Sequence, residues 1–194
     1  MRYSQFKTSE SQTSGEKALT KNQVKQLLAS ITDLEEDALI RLALNGGIRR
    51  NDIVGIKRDD IDTARRKVGF WEHKKKRFKT IDISDETTRI LEMWLNATKN
   101  IKSDYVFLPR KKGADHMGDA TAYRMLQDNL IKAGLPRRPF HALRATCIKL
   151  CQTEGWTIEK TAKHVGDSIR VIQEHYTTPS EEEMSEVMKS KPNI

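Results

Sequence analysis

The side chains that could do chemistry gather in four places along the chain. In Gly46-Gly47-Ile48-Arg49-Arg50-Asn51-Asp52 a glycine pair, which lets backbones approach closely, precedes two arginines at the start of a predicted helix. Arginine suits a phosphate because its planar fork offers two parallel donors. Residues 73–79 carry Lys74, Lys75, Lys76, Arg77 and Lys79, five basic side chains in seven positions, too many to be paired locally. Such a run can lie along a nucleic-acid backbone or in a groove. In Arg137-Arg138-Pro139-Phe140-His141-Ala142-Leu143-Arg144, His141 and Arg144 are three residues apart and share a helix face near its N-terminus, an end that favours anions. The fourth place is a late tyrosine, Tyr176, in Glu174-His175-Tyr176.

Taken singly, each has a plain alternative: a helix-to-helix turn with exposed arginines, a solvated basic turn, a surface histidine beside an unrelated arginine. Together they match one chemistry. Cleaving a phosphodiester without a metal needs a nucleophile, cations for the two non-bridging oxygens and an acid for the leaving oxygen. A tyrosine serves as nucleophile because its phenoxide both attacks and leaves well, so a phosphotyrosine bond conserves the energy of the cut linkage. The sequence has no zinc-ligand spacing and no clear acidic cage for a hard metal ion.

The composition agrees. The 194 residues suffice for one domain or one domain plus a tail, and the net charge of +8 points to a polyanionic partner, nucleic acid before others. Charged residues make up 32%, above the usual quarter, which gives a heavily charged surface. No apolar run approaches the roughly 18 residues of a membrane span, and the N-terminus lacks the apolar core of a signal peptide. The expectation is a cytoplasmic, DNA-associated protein with no membrane contact. The two cysteines, Cys147 and Cys151, are four apart on a predicted helix and are expected to pack as small apolar residues.

The elements that must position these groups are mostly helices. Residues 1–18 are polar and aperiodic and read as a flexible segment. Thr20 and Gln23 have capping-box spacing, with Val24, Leu27, Leu28 and Ile31 on one face behind them. A second helix starts near Thr32 or Asp33 and stops at Asn45-Gly46-Gly47, followed by a short one over about 49–56. Strands are predicted at about 67–72 and 77–83, a helix capped by Ser84, mostly loop over 98–117 with a short strand at 104–107, and helices near 119–133, 141–153, 157–164, 168–175 and 180–190. Tyr105 and Tyr123 are expected to pack, and Trp71, Trp94 and Trp156 to sit in the core or at its rim. The predicted fold class is mainly α with a small antiparallel β-sheet.

With these residues in view, the chain from about Leu19 to Tyr176 resembles the tyrosine recombinase family, which includes phage and archaeal virus integrases. Gly47-Ile48-Arg49-Arg50-Asn51-Asp52-Ile53 is similar to the family's first box, Gly-Leu-Arg-x-x-Glu-Leu, with Asp52 as the acidic neighbour. Ile81-Asp82-Ile83 is similar to Val-Pro-Leu of the second hairpin strand, and counting back lands on Lys74, with Lys75 and Lys76 as alternatives because hairpin length varies. His141-Ala142-Leu143-Arg144 matches the His-x-x-Arg box, and Val165-Gly166-Asp167-Ser168 resembles Leu-Gly-His-Ser. The sequence departs from the family at Asp167, where His or Trp usually donates to the phosphate. Three explanations stand open: Asp167 supports an arginine, His164 or His175 substitutes, or activity is reduced.

The resemblance implies the catalytic domain of a site-specific recombinase that cleaves and rejoins DNA through a 3′-phosphotyrosyl link to Tyr176. Arg49 and Arg144 would clamp the phosphate, Lys74 would protonate the leaving 5′ oxygen, and His141 would assist proton transfer, with Asp167 the divergent sixth position. Arg50, Lys75, Lys76 and Arg77 would contact DNA. No cofactor is implied. The partner would be double-stranded DNA, bound as a homo-tetramer by a chain that is monomeric when free. The catalytic domain would span 19–178, and 179–194 would form a C-terminal helix or tail that docks on a neighbouring subunit. The family usually adds an N-terminal DNA-binding domain, for which residues 1–18 are too short; a chain without it is expected to bind DNA weakly. The competing readings are a type IB topoisomerase, disfavoured by the compact spacing of 32 residues from Arg144 to Tyr176, and a DNA-binding module with an impaired site.

Overall fold

A computed structural model describes residues 17–176 together with 185, 188 and 189. Eight helices and one small sheet are formed among the described residues: α1 (Lys21–Ser30), α2 (Leu34–Gly46), α3 (Arg50–Val54), β1 (Ile61–Asp62), β2 (Lys67–Glu72), β3 (Arg77–Asp82), α4 (Asp85–Ala97), α5 (Asp119–Lys132), α6 (His141–Thr153), α7 (Ile158–Val165) and α8 (Ile169–Tyr176). The predicted fold class, helical with a small antiparallel sheet, is the one observed. Of the helix predicted over 180–190 only residues 185, 188 and 189 are described, each in helical conformation; the rest lies outside the described residues.

The helix ends follow from local chemistry. Thr20 and Gln23 form a reciprocal capping box at α1, and the Asp33 carboxylate accepts from the backbone N–H groups of Glu35 and Glu36 at α2. Ser84 and Thr157 cap α4 and α7 in the same way. Gly47 ends α2 in the left-handed conformation (φ 57°), and a Cβ there would stand 3.0 Å from Val165 Cγ1, so the turn needs glycine both for its backbone and for space. Helix α3 is shorter than the predicted 49–56, ending at Gly55.

The sheet is a meander in the order β1-β2-β3, antiparallel throughout. Strand β1, two residues long, was not expected from sequence. The β2–β3 register pairs Val68 with Ile81, Phe70 with Lys79 and Glu72 with Arg77. Val68, Phe70 and Glu72 therefore point to one face, and all three are buried. The strand expected at 104–107 does not form. Tyr105 makes only an isolated bridge to Lys57, and Val106 N–H donates to the Ile56 carbonyl. Trp94 Nε1 donates to the Val106 carbonyl across 2.8 Å, so this loop is pinned without being part of the sheet.

Two apolar clusters hold the chain together. The larger joins Leu27, Leu39, Leu42 and Ile53 to Phe70, Ile81, Leu91, Phe107 and Leu126, among others. The smaller packs Ala145, Cys147, Ile148 and Cys151 of α6 against Ala162, Val165, Ile172 and Tyr176. Helix α6 belongs to both, since Leu143 lies in the larger cluster. Cys147 and Cys151 are free and buried, in keeping with packing as apolar residues. Trp94 is partly buried against the core, whereas Trp71 and Trp156 are 48% and 40% exposed. Tyr123, expected to pack, is instead exposed on α5, where the Arg50 guanidinium lies 5.8 Å from its ring centre.

Candidate active site

The site forms where α6 meets the α2–α3 turn, the β2–β3 hairpin and the α7–α8 turn. Arg49 is the N-cap residue of α3, held in extended conformation just after the Gly47 turn. Arg144 lies on the first turns of α6, 2% exposed, and one of its terminal nitrogens donates to the Gly47 carbonyl. The two guanidinium groups converge on one carboxylate. Arg49 donates to Asp167 Oδ1 across 3.1 Å, and Arg144 donates to Asp167 Oδ2 across 2.6 Å. Burial pushes the Asp167 carboxyl up, but Arg144 and Arg49, with Lys75, outweigh it and hold the group below its ordinary value. Asp167 therefore stays ionised and spans the arginine pair.

A second acid completes this network. Glu72, at the end of β2 and only 1% exposed, lies 3.5 Å from Arg49 and accepts from Arg77 Nε across 2.7 Å. Lys79, on β3, reaches the same place and donates to the His164 carbonyl. Burial pushes the Lys79 ammonium down to about 8 in spite of the opposing charge of Glu72. Gly166 closes the arrangement: at φ 73° its missing Cβ would stand 2.7 Å from Glu72 Oε1 and 3.0 Å from Lys79 Nζ. The turn carrying Asp167 thus docks directly on the ion pairs of the hairpin.

The tyrosine sits on the other side of α6. Tyr176 ends α8, is 3% exposed, and places its hydroxyl 2.7 Å from His141 Nε2. Desolvation by its surroundings, then the neighbouring Arg144, pushes His141 down from its usual value, which favours the uncharged ring that can accept the tyrosine proton. His141 also lines a cleft of about 420 Å³ with Arg49, Arg50, Asp52, His73, Lys74, Tyr123 and Arg144.

Arg49, Lys74, His141 and Arg144 therefore share one cleft, Asp167 ties its two arginines, and Tyr176 is bonded to its histidine. The residues expected to contact DNA divide. Lys74, Lys75 and Lys76 form the exposed turn between β2 and β3, with Lys76 at positive φ (49°). Arg77 turns back to Glu72, and Arg50 pairs with Asp119 across 2.8 Å. Of the three explanations for Asp167, the geometry matches the first, support of an arginine, and extends it to both. His164 Nε2 lies 2.8 Å from the Asn45 carbonyl, and its ring packs edge-on to Trp156, outside the arginine cleft. Sequence reasoning missed Glu72 and the inward role of Lys79. Their signal was the period-2 alternation of the hairpin, which places Glu72 on the same face as Val68 and Phe70.

A helical domain with a three-stranded meander, two arginines converging from α3 and α6 and a tyrosine on the last described helix defines the class to which comparison also leads. The chain belongs to the phage integrase family, whose model matches residues 17–183. It is 26% identical over 153 residues to the tyrosine recombinase XerA of Saccharolobus solfataricus, an alignment covering 77% of this chain and 48% of that protein. The chain thus spans about half the length of the curated relative it matches. In fold it is similar to a crystal structure of XerA recombinase (TM-score 0.79, 20% identity, 91% of this chain and 66% of that one). It is similar also to XerH site-specific recombinase bound to its difH substrate before cleavage (TM-score 0.71, 17% identity, 90% and 54%). The catalytic domain of bacteriophage HP1 integrase matches over 90% of this chain and 95% of that one (TM-score 0.58, 21% identity).

Proposed function

We propose that this chain is the catalytic domain of a site-specific recombinase, cleaving and rejoining DNA strands through a covalent link to Tyr176. The observation that carries the reading is the Tyr176 hydroxyl held 2.7 Å from His141 Nε2, next to a cleft lined by Arg49, Arg144, Lys74 and His141 itself. His141 Nε2 takes the tyrosine proton as the phenolate oxygen attacks the phosphorus. The 5′ oxygen leaves with a proton from Lys74, and Tyr176 carries the 3′ phosphate. Arg49 and Arg144, held apart and in register by Asp167, neutralise the non-bridging oxygens. In rejoining, a 5′ hydroxyl gives its proton back to Lys74 and attacks the phosphorus, and the displaced tyrosine oxygen recovers its proton from His141. No step needs a cofactor.

The partner in this reading is double-stranded DNA, in line with relatives whose structures hold their DNA substrate. The basic turn 74–76 faces its backbone, assembly on DNA is tetrameric, and the free chain is monomeric and cytoplasmic. The catalytic domain in this reading spans 19–178; the segments 1–18 and 179–194 fall almost wholly outside the described residues. No described helix is long and apolar enough to cross a membrane.

The test is covalent capture. The chain is incubated with DNA nicked near a candidate site, so that the cleaved strand diffuses away, and a protein–DNA adduct is sought on a denaturing gel. An adduct formed by the native chain and absent in Tyr176→Phe is the expected result. No adduct on DNA that the chain demonstrably binds would overturn the reading in favour of a DNA-binding module.

A further inference from the structure

The cleft contains one side chain whose placement the mechanism above does not use. His73 opens the turn after β2, and Asp52 of α3 grips it twice: Asp52 Oδ1 accepts from the His73 backbone N–H across 3.1 Å and lies 2.9 Å from ring Nδ1. The carboxylate is almost wholly buried while the histidine side chain is 62% exposed. A carboxylate has no proton to give, so the hydrogen at this contact sits on Nδ1. That fixes the ring and leaves Nε2 as its only other polar atom. The ring lines the same cleft as Arg49, Lys74, His141 and Arg144.

Asp52 has more to offer than one bond. Its second oxygen, Oδ2, is buried without a hydrogen-bond partner. With Nδ1–H committed to Asp52, Nε2 is the ring atom left to meet an entering phosphate, and it donates when the ring carries a second proton. The charge balance of the cleft shows where such a donor counts. Arg49 and Arg144 each give an N–H to Asp167, and Arg49 also faces Glu72, so part of the donor capacity of this pair is committed within the protein. A phosphorane gains negative charge over the ground-state diester, and stabilising it calls for donors beyond those the arginine pair keeps free.

We propose that His73, oriented by Asp52, is a further catalytic residue of this cleft, donating from protonated Nε2 to a non-bridging oxygen of the phosphate under attack. The inference rests on the recombinase reading. It assigns a chemical task to a residue in the hairpin turn, next to Lys74, and makes Asp52 a positioning residue that acts through the ring. The groups facing His73 are Asp52 from α3, Lys74 within the turn and, across the cleft, Arg49, His141 and Arg144.

Two isosteric substitutions separate this role from a structural one. The side-chain amide of glutamine places a donor where Nε2 stands, and that of asparagine places one where Nδ1 stands. His73→Asn keeps the Asp52 contact and loses the cleft donor; His73→Gln does the reverse. The readout is the rate of covalent adduct formation at saturating nicked DNA, with Tyr176→Phe as the blank. If His73 donates to phosphate, Asn lowers the saturated rate about 10²-fold, the usual cost of one lost donor of this kind, while Gln stays within about tenfold of the native chain. If the ring merely braces the turn, Asn matches the native rate, Gln is the slower, and the proposal is overturned; equal native-like rates for both overturn it as well. A native chain that forms no adduct at all defeats instead the recombinase reading on which the proposal stands.

Discussion

The two halves of the site are built by opposite means. Around Arg144 the charges are shared and mostly enclosed: Arg144 and Asp167 have side chains 3% and 12% exposed, and Glu72 and the half-buried Lys79 pack in behind. A few residues away the turn 74–76 projects into solvent. The buried half is over-determined, since each arginine answers to two acceptors and a one-ångström shift would break several bonds together. The exposed half has charge without fixed geometry. A clamp on two particular oxygens needs the first arrangement, while attraction to a long polyanion needs only the second. Substitutions in the buried half should therefore cost folding and chemistry together, and those at Lys75 and Lys76 in the turn should cost affinity alone.

The largest expected effect is at Arg144. Arg144→Ala removes one member of a buried pair and leaves Asp167 with Arg49 alone, a change that costs about 3–5 kcal/mol of stability. Adduct formation should fall at least 10²-fold in whatever fraction still folds. Chemical denaturation and single-turnover capture measure the two separately. Asp167→Ala comes next, at about 1–3 kcal/mol, because two guanidinium groups lose an acceptor but keep the Gly47 carbonyl and Glu72. It also carries a pH signature. The folded Asp167 carboxyl titrates below its ordinary value of 3.8, so the stability it contributes is complete above that pH and lost as pH falls through the lowered value. Acid unfolding of Asp167→Ala should be correspondingly shallower below pH 3.8; an unchanged acid limb would mean that the bridge does not form in solution.

The same division explains what could be read from the sequence. Helices α1, α2 and α4 carry their caps, and with α6 their apolar periods, in contiguous residues, so Thr20, Asp33, Ser84 and the run from His141 announced them. Arg49, His141, Arg144 and Tyr176 were legible because their types and spacing fit one reaction. Glu72 was not, since an acid at a strand end looks like any solvated charge until the α7–α8 turn is seen to bury it. Asp167 looked like a defect in sequence because its two partners lie 118 and 23 residues away. The loop at 104–107 had strand residues but no neighbouring strand with which to pair, and β1 was too short to show a period.

Lys79 tests the border between the two halves. It belongs to the basic run but points inward, and its ammonium titrates near 8 where an exposed lysine titrates at 10.5. Across that window the unfolded chain holds a proton that the folded chain has released, so this residue makes stability rise with pH. Lys79→Met should flatten that rise, by an amount on the order of 1 kcal/mol after allowing for solvent screening of a group not wholly enclosed. The measurement is the difference in unfolding free energy between native chain and variant at pH 7.5 and 10.5. A difference independent of pH would place Lys79 with the exposed lysines and move the border inward.

The smallest structural effects are expected in the turn itself, where they are the most informative about function. Lys75→Ala and Lys76→Ala should each change stability by no more than about 0.5 kcal/mol, as surface substitutions do. Lys76→Gly should be neutral or slightly stabilising, because Lys76 already holds a positive φ of 49° that glycine adopts freely. If each lysine meets a phosphate, each alanine variant should lower the slope of log affinity against log salt concentration by about 0.9. The loss in DNA binding would then be largest at low salt and fade as salt rises, while the adduct rate at saturating DNA stays near that of the native chain. A Lys75 or Lys76 variant that slowed the saturated rate as strongly as Arg144→Ala would break the comparison. It would show that the turn closes over the phosphate as fixed machinery and is not a loosely held patch of charge.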